Sequence, residues 1–201
     1  MLVTLVLSTL SFAQDAATIG DLADRGEFEP YVLPSRAELA ARRTNNIVGG
    51  SSTSDFEAVG AIGFARGGSL YGTFCSGTLV DRNWVVTAAH CLDNNAAQGY
   101  LNSGYDVIFL LGTNLASSSG LLDYAYVTDV TWNSGYSSSR LTDDIGVMEL
   151  NGGGITSVTP IALNTSTPSS SWGEITYVGF GITGDGRSDS GVKRTVDVDF
   201  F

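Results

Sequence analysis

Trp84-Val85-Val86-Thr87-Ala88-Ala89-His90-Cys91 opens on four residues suited to a strand and closes on the only histidine of the chain, beside one of its two cysteines. Three consecutive β-branched residues, 85 to 87, are stiff at χ1 and favour a pleated strand over a helix. The same texture recurs on both sides. Val107-Ile108-Phe109-Leu110-Leu111, Tyr124-Ala125-Tyr126-Val127, Ile175-Thr176-Tyr177-Val178 and Thr195-Val196-Asp197-Val198-Asp199-Phe200 are short runs of the same kind. They are separated by Ser117-Ser118-Ser119-Gly120, Ser137-Ser138-Ser139 and Asn151-Gly152-Gly153-Gly154, which read as loops. No helical period of about 15 residues runs through residues 47 to 201, and no repeat of fixed length appears. The pattern predicts an all-β fold; local reasoning alone leaves sandwich and barrel open.

Composition narrows the function. The chain has 201 residues, 43% hydrophobic, which suffices for one or two cores and excludes wholesale disorder. Ten Lys and Arg stand against 21 Asp and Glu, a net charge of −11, so no basic surplus exists to neutralise a phosphate backbone. Nucleic acid is therefore excluded as a partner. One histidine cannot build the multi-imidazole catalytic zinc sites, so no metal is expected and any imidazole chemistry runs through His90.

The first residues, Met1 to Gln14, form an apolar run that stops at Ser11-Phe12-Ala13. This predicts a secretory signal peptide over residues 1–13, too short to span a bilayer; no later stretch reads as a membrane span. Residues 14 to 46 are richer in charge, and Glu38-Leu39-Ala40-Ala41 suggests a short helix. An exported, secreted or periplasmic context allows Cys75 and Cys91 to pair. Such a bridge would tether the loop that carries His90, and a general base needs that kind of mounting to stay within reach of the proton it takes.

Six segments in order carry a resemblance to the chymotrypsin/trypsin family of serine endopeptidases. They are Ile47-Val48-Gly49-Gly50, Phe74-Cys75-Ser76-Gly77-Thr78-Leu79-Val80, Val86-Thr87-Ala88-Ala89-His90-Cys91, Asp143-Asp144-Ile145-Gly146-Val147-Met148-Glu149-Leu150, Tyr177-Val178-Gly179-Phe180-Gly181 and Ser190-Gly191-Val192-Lys193-Arg194-Thr195-Val196-Asp197-Val198. The resemblance spans residues 47 to 201. It implies a trypsin-like double antiparallel β-barrel, the first barrel complete and the second only partly present, with the active site between them. It also implies a Ser/His/Asp triad in which His90 is the base and Asp144, immediately before Ile145, the orienting carboxylate; Asp143 is expected to be a solvated turn residue. Ile47 is similar to the mature N-terminus of the family, so residues 14–46 read as a propeptide, although Asn46 rather than Arg or Lys precedes it.

The family nucleophile lies in Gly-Asp-Ser-Gly-Gly, which these residues do not contain. Ser188-Asp189-Ser190-Gly191 holds Asp-Ser-Gly but lacks both flanking glycines, so Ser190 is rejected as the nucleophile. The expectation is a C-terminally truncated fragment, residues 47–201 being an incomplete protease domain that is inactive alone. The resemblance further implies protein or peptide substrates, protein protease inhibitors as partners, a monomer, and no cofactor. A catalytically inactive, protease-like binding or regulatory module is the alternative; the retained base and orienter favour the enzyme. Asn164-Thr165-Ser166 is a glycosylation sequon for a host that glycosylates.

Overall fold

In a computed structural model of the chain, the short apolar runs become nine strands, and the residues described are 29–42, 53–167, 173–182 and 189–199. The signal peptide and Ile47 lie outside the described residues. The strands are β1 (Tyr31–Val32), β2 (Val59–Arg66), β3 (Ser69–Asp81), β4 (Trp84–Thr87), β5 (Asp106–Gly112), β6 (Leu121–Trp132), β7 (Gly146–Leu150), β8 (Glu174–Gly179) and β9 (Arg194–Asp199). Two helices, α1 (Arg36–Arg42) and α2 (Ala97–Asn102), accompany them. α2 has too few turns to show a helical period in the sequence.

All pairings between these strands are antiparallel. The order β3-β2-β5-β6-β7-β4 closes on itself through β3–β4, giving a six-stranded barrel, with β1 added outside along β3. Closure removes the unpaired edges an open sheet would expose. β8 and β9 form a separate two-stranded sheet, so a trypsin-like all-β architecture is present with one closed barrel and one hairpin. On that hairpin Val196 and Val198 are exposed.

Period-2 alternation divides the apolar side chains between two clusters. Ile62 and Phe64 of β2 and Val107, Phe109 and Leu111 of β5 enter one, which draws on all six barrel strands. Ala61, Ala65, Ile108 and Leu110, from the opposite faces of the same two strands, enter the other together with Leu33, Leu39 and Phe180. β2 and β5 are buried on both faces, and so their sequences are continuously apolar.

The segment expected as a propeptide is part of this packing where it is described. Tyr31 pairs with Leu70 and Val32 with Ser69, and the Leu33 amide donates to the Gly68 carbonyl. α1 begins at a reciprocal cap: the Glu38 amide donates to Ser35 Oγ, and the Ser35 amide donates to Glu38 Oε2.

Candidate active site

Strand register brings together two residues that are 54 positions apart. β4 and β7 pair antiparallel with Thr87 opposite Gly146, so the chain leaving β4 and the chain entering β7 meet at one end of the pair. His90 lies three residues beyond Thr87 and Asp144 two before Gly146; both fall at that end. The Thr87 hydroxyl donates to the Ser76 carbonyl at 2.8 Å, anchoring the end of β4 to β3. A 3-10 turn, Ala89–Cys91, follows and holds the histidine.

Asp144 grips that histidine twice. Its Oδ1 accepts the His90 backbone amide at 2.9 Å and its Oδ2 lies 2.8 Å from His90 Nδ1. The carboxylate side chain is 5% exposed and the imidazole 40%, so the acid is enclosed while the ring keeps an open side. With Nδ1–H donated to the carboxylate, Nε2 carries the lone pair, which is the tautomer a general base requires. The backbone bond also fixes the carboxylate plane, so the ring cannot turn without breaking one of two short contacts.

Asp143 is exposed and points elsewhere, in agreement with its sequence reading as a turn residue. Its φ of 55° lies in the left-handed region, and the Ile145 amide donates to its carbonyl across Asp144. That tight turn projects Asp144 toward the histidine. Burial and then the Asp93 and Asp144 carboxylates push the Tyr136 phenol up.

Cys75 and Cys91 form a disulfide with a Cα–Cα distance of 6.0 Å. Cys75 sits opposite Ile62 in the β2–β3 ladder, and the bridge therefore ties the His90 turn to the barrel wall. Donor atoms of Cys75, His90 and Cys91 lie within 4.8 Å of one another, but sulfurs joined to each other offer no thiolate to a metal.

The residues that follow Ser190 are tied to the chain after β5 and after β8. Gly191 accepts from the Leu115 amide at 2.7 Å and donates to the Phe180 carbonyl at 2.8 Å, and Val192 bridges Asn114. Asp189 pairs with Arg194 at 3.3 Å.

Two supporting residues escaped the sequence reading. Ser76 Oγ accepts the Phe180 amide at 2.9 Å, joining the hairpin to the barrel beside the disulfide. Gly146 allows the close approach that seats Asp144: a Cβ there would stand 2.6 Å from Leu92 Cδ1 and 2.7 Å from the Thr131 carbonyl.

Among the described residues no helix is long and apolar enough to cross a membrane. The sequence matches the family described as Trypsin over residues 47–200. Trypsin delta of Drosophila melanogaster is 30% identical over 148 residues, covering 69% of this chain and 54% of the relative. Chymotrypsin-like elastase family member 1 of Rattus norvegicus is 32% identical over 114 residues, 53% of this chain and 40% of the relative. Brachyurin of Leptuca pugilator is 29% identical over 136 residues, 62% of this chain and 53% of the relative. The chain spans about half the length of the curated relatives it matches. With the barrel, the disulfide and the match over residues 47–200 in agreement, the chain belongs to the trypsin family of serine proteases.

Proposed function

We propose that the chain carries the base and orienting acid of a secreted serine endopeptidase that cleaves peptide bonds of protein substrates. The observation that supports this most is the double contact of Asp144 on His90, at 2.8 Å to the ring and 2.9 Å to the backbone. In that chemistry His90 Nε2 takes the proton of a serine hydroxyl as its oxygen attacks the peptide carbonyl carbon. The imidazolium then protonates the departing amine. A water molecule, deprotonated by the same nitrogen, releases the acyl group and regenerates the serine. Asp144 stays ionised throughout and stabilises the imidazolium. The serine and the oxyanion donors belong to a Gly-Asp-Ser-Gly-Gly segment that does not occur in these 201 residues. No cofactor enters any step.

The same reading has residues 1–13 direct export and residues 14–46 precede a mature N-terminus at Ile47. N-terminal sequencing of secreted, active protein should begin at Ile47; a start at Gln14 refutes the propeptide. Reading the gene beyond the codon for Phe201 should reveal Gly-Asp-Ser-Gly-Gly. The polypeptide that includes it should hydrolyse a panel of peptide esters and lose that activity on His90→Ala. The 201-residue polypeptide should hydrolyse none, and hydrolysis by it that disappears on His90→Ala would refute the assignment of the nucleophile.

A further inference from the structure

We propose that residues 29–42 remain bound to the barrel after the chain is cut ahead of Ile47, so that the mature protein is a noncovalent pair of chains. This rests on the reading of residues 14–46 as a propeptide. A propeptide that is merely removed needs no fitted seat, yet this one has three kinds of contact. The first is backbone pairing: β1 extends β3 through Tyr31 and Val32, and the Leu33 amide donates to the Gly68 carbonyl at 2.9 Å. β1 pairs with Ser69 and Leu70 of β3 on the side away from β2, where β3 would otherwise be an edge.

The second is apolar. Leu33 and Leu39 are 8% and 2% exposed and belong to the cluster that holds Ile108, Leu110 and Leu121. Leu39 lies one helical turn past Ser35, and its amide donates to the Ser35 carbonyl at 3.0 Å, so the capped turn carries it directly. The third is ionic. Arg36 Nε and Nη2 reach Asp123 Oδ1 and Oδ2 at 2.9 and 3.2 Å, a two-pronged pairing on a carboxylate residue that is 5% exposed. Removing the segment would leave that carboxylate without its guanidinium and uncover two leucine sites. Tyr31 Oη adds a bond to the Leu115 carbonyl at 3.2 Å.

The partner of this surface is thus an extended strand followed by a capped helical turn, with an arginine and a leucine three residues apart, and residues 29–42 supply it. Attachment here uses no disulfide, because both cysteines are committed to the Cys75–Cys91 bridge.

The test imposes the cut rather than waiting for the natural one. Arg43→Ile, Thr44→Glu, Asn45→Gly and Asn46→Arg together place an Ile-Glu-Gly-Arg cleavage site directly before Ile47. After digestion, gel filtration with mass spectrometry of each fraction should find the segment in the main peak in native buffer and separated from it in guanidinium chloride. Arg36→Ala with Leu39→Asp in the same background should weaken retention by about a hundredfold or more and move the segment to its own fraction. A segment that leaves the barrel in native buffer without those substitutions overturns the proposal. So does one that stays with them, because retention then does not run through this seat. Binding of a synthetic 29–42 peptide to segment-free barrel gives an independent reading, and absence of binding up to millimolar peptide counts against it. A natural N-terminus other than Ile47 would refute the propeptide while leaving the retention result standing.

Discussion

The only lysine of the chain, Lys193, is 2% exposed, and its burial sets a pH dependence of stability that can be worked out in sign and size. It stands just before β9. Its backbone amide donates to the Thr113 carbonyl at 2.8 Å, its Nζ donates to the Phe56 carbonyl at 3.1 Å, and the ammonium lies 5.7 Å from the centre of the Phe180 ring. Burial lowers the ammonium from 10.5 to about 8, against the opposing pull of the Glu57 and Asp55 carboxylates. Below pH 8 folded and unfolded chains both hold this proton, and the group contributes no slope. Between about 8 and 10.5 the unfolded chain holds a proton that the folded chain has released, so the unfolding free energy rises with pH, at most about 1.4 kcal/mol per unit. From pH 8 to pH 10 the gain is about 2 kcal/mol.

As pH approaches 10 the sign reverses. The Tyr31 and Tyr100 phenols are pushed up to about 12 by burial, so the unfolded chain loses those protons first and stability falls as pH rises further. Urea denaturation of the 201-residue chain followed by circular dichroism at pH 7, 8, 8.5 and 9 should show midpoints that climb between 8 and 9. Lys193→Met should flatten that climb. At pH 7 this variant should be as stable as the natural chain or more so, because the Phe56 carbonyl keeps its bond from the Val59 amide when the costly buried cation is gone. A natural chain whose midpoint is flat or falling from pH 8 to 9, or a Lys193→Met chain with the same climb, would refute the argument.

Three other substitutions probe the surroundings of the site. Gly146→Ala should cost about 1–3 kcal/mol in thermal or urea unfolding, because its Cβ would meet Leu92 and the Thr131 carbonyl at 2.6 and 2.7 Å; an unchanged midpoint would show that the turn before β7 has room to shift. Cys75→Ser with Cys91→Ser should lower stability by about 3 kcal/mol, the loop-closure value for a separation of 16 residues, and in a full-length active enzyme it should also reduce kcat, because the His90 turn loses its tie to the wall. Tyr100→Phe should be neutral or stabilising by up to about 1 kcal/mol. The Tyr100 hydroxyl is buried with no hydrogen-bond partner among the described residues, while its ring stacks on Phe64 at a centroid distance of 4.2 Å.

The strands were legible because a barrel strand buried on both faces must be apolar along its length, and Val107 to Leu111 says so in five letters. The N-terminal segment was harder. Its strand has two residues, and of the described positions 29 to 39 only Leu33 and Leu39 are buried, too few to mark a period. The capping pair Ser35 and Glu38 stood in the sequence as a helix start, but nothing local announces that Arg36 will meet Asp123, 87 positions away. Lys193 is a stronger case. Long charged side chains belong at the surface by default, and only the tertiary arrangement of Phe56, Phe180 and Thr113 makes its burial affordable.

The choice between Asp143 and Asp144 shows where pattern ends and physics takes over. As isolated letters the two are equivalent, and only the Ile145 that follows Asp144 separates them. The structure supplies the reason that spacing matters. Gly146 is the first residue of β7 and lies opposite Thr87, so the residue two before it is carried back over the exit of β4, where His90 begins its turn. Asp143, one residue further from the strand, takes a left-handed φ and faces solvent. Placing the carboxylate one position earlier would therefore remove it from Nδ1 and from the His90 amide together. An Asp144→Asn chain keeps the backbone contact but can present its amide nitrogen to Nδ1, which then becomes the acceptor and moves the proton to Nε2. In a full-length enzyme such a chain should fold with unchanged stability and lose most of its kcat at pH 7. An Asp143→Asn chain should lose neither, and an equal loss in both would mean that the carboxylates act as a diffuse negative field rather than through the one bond to the ring.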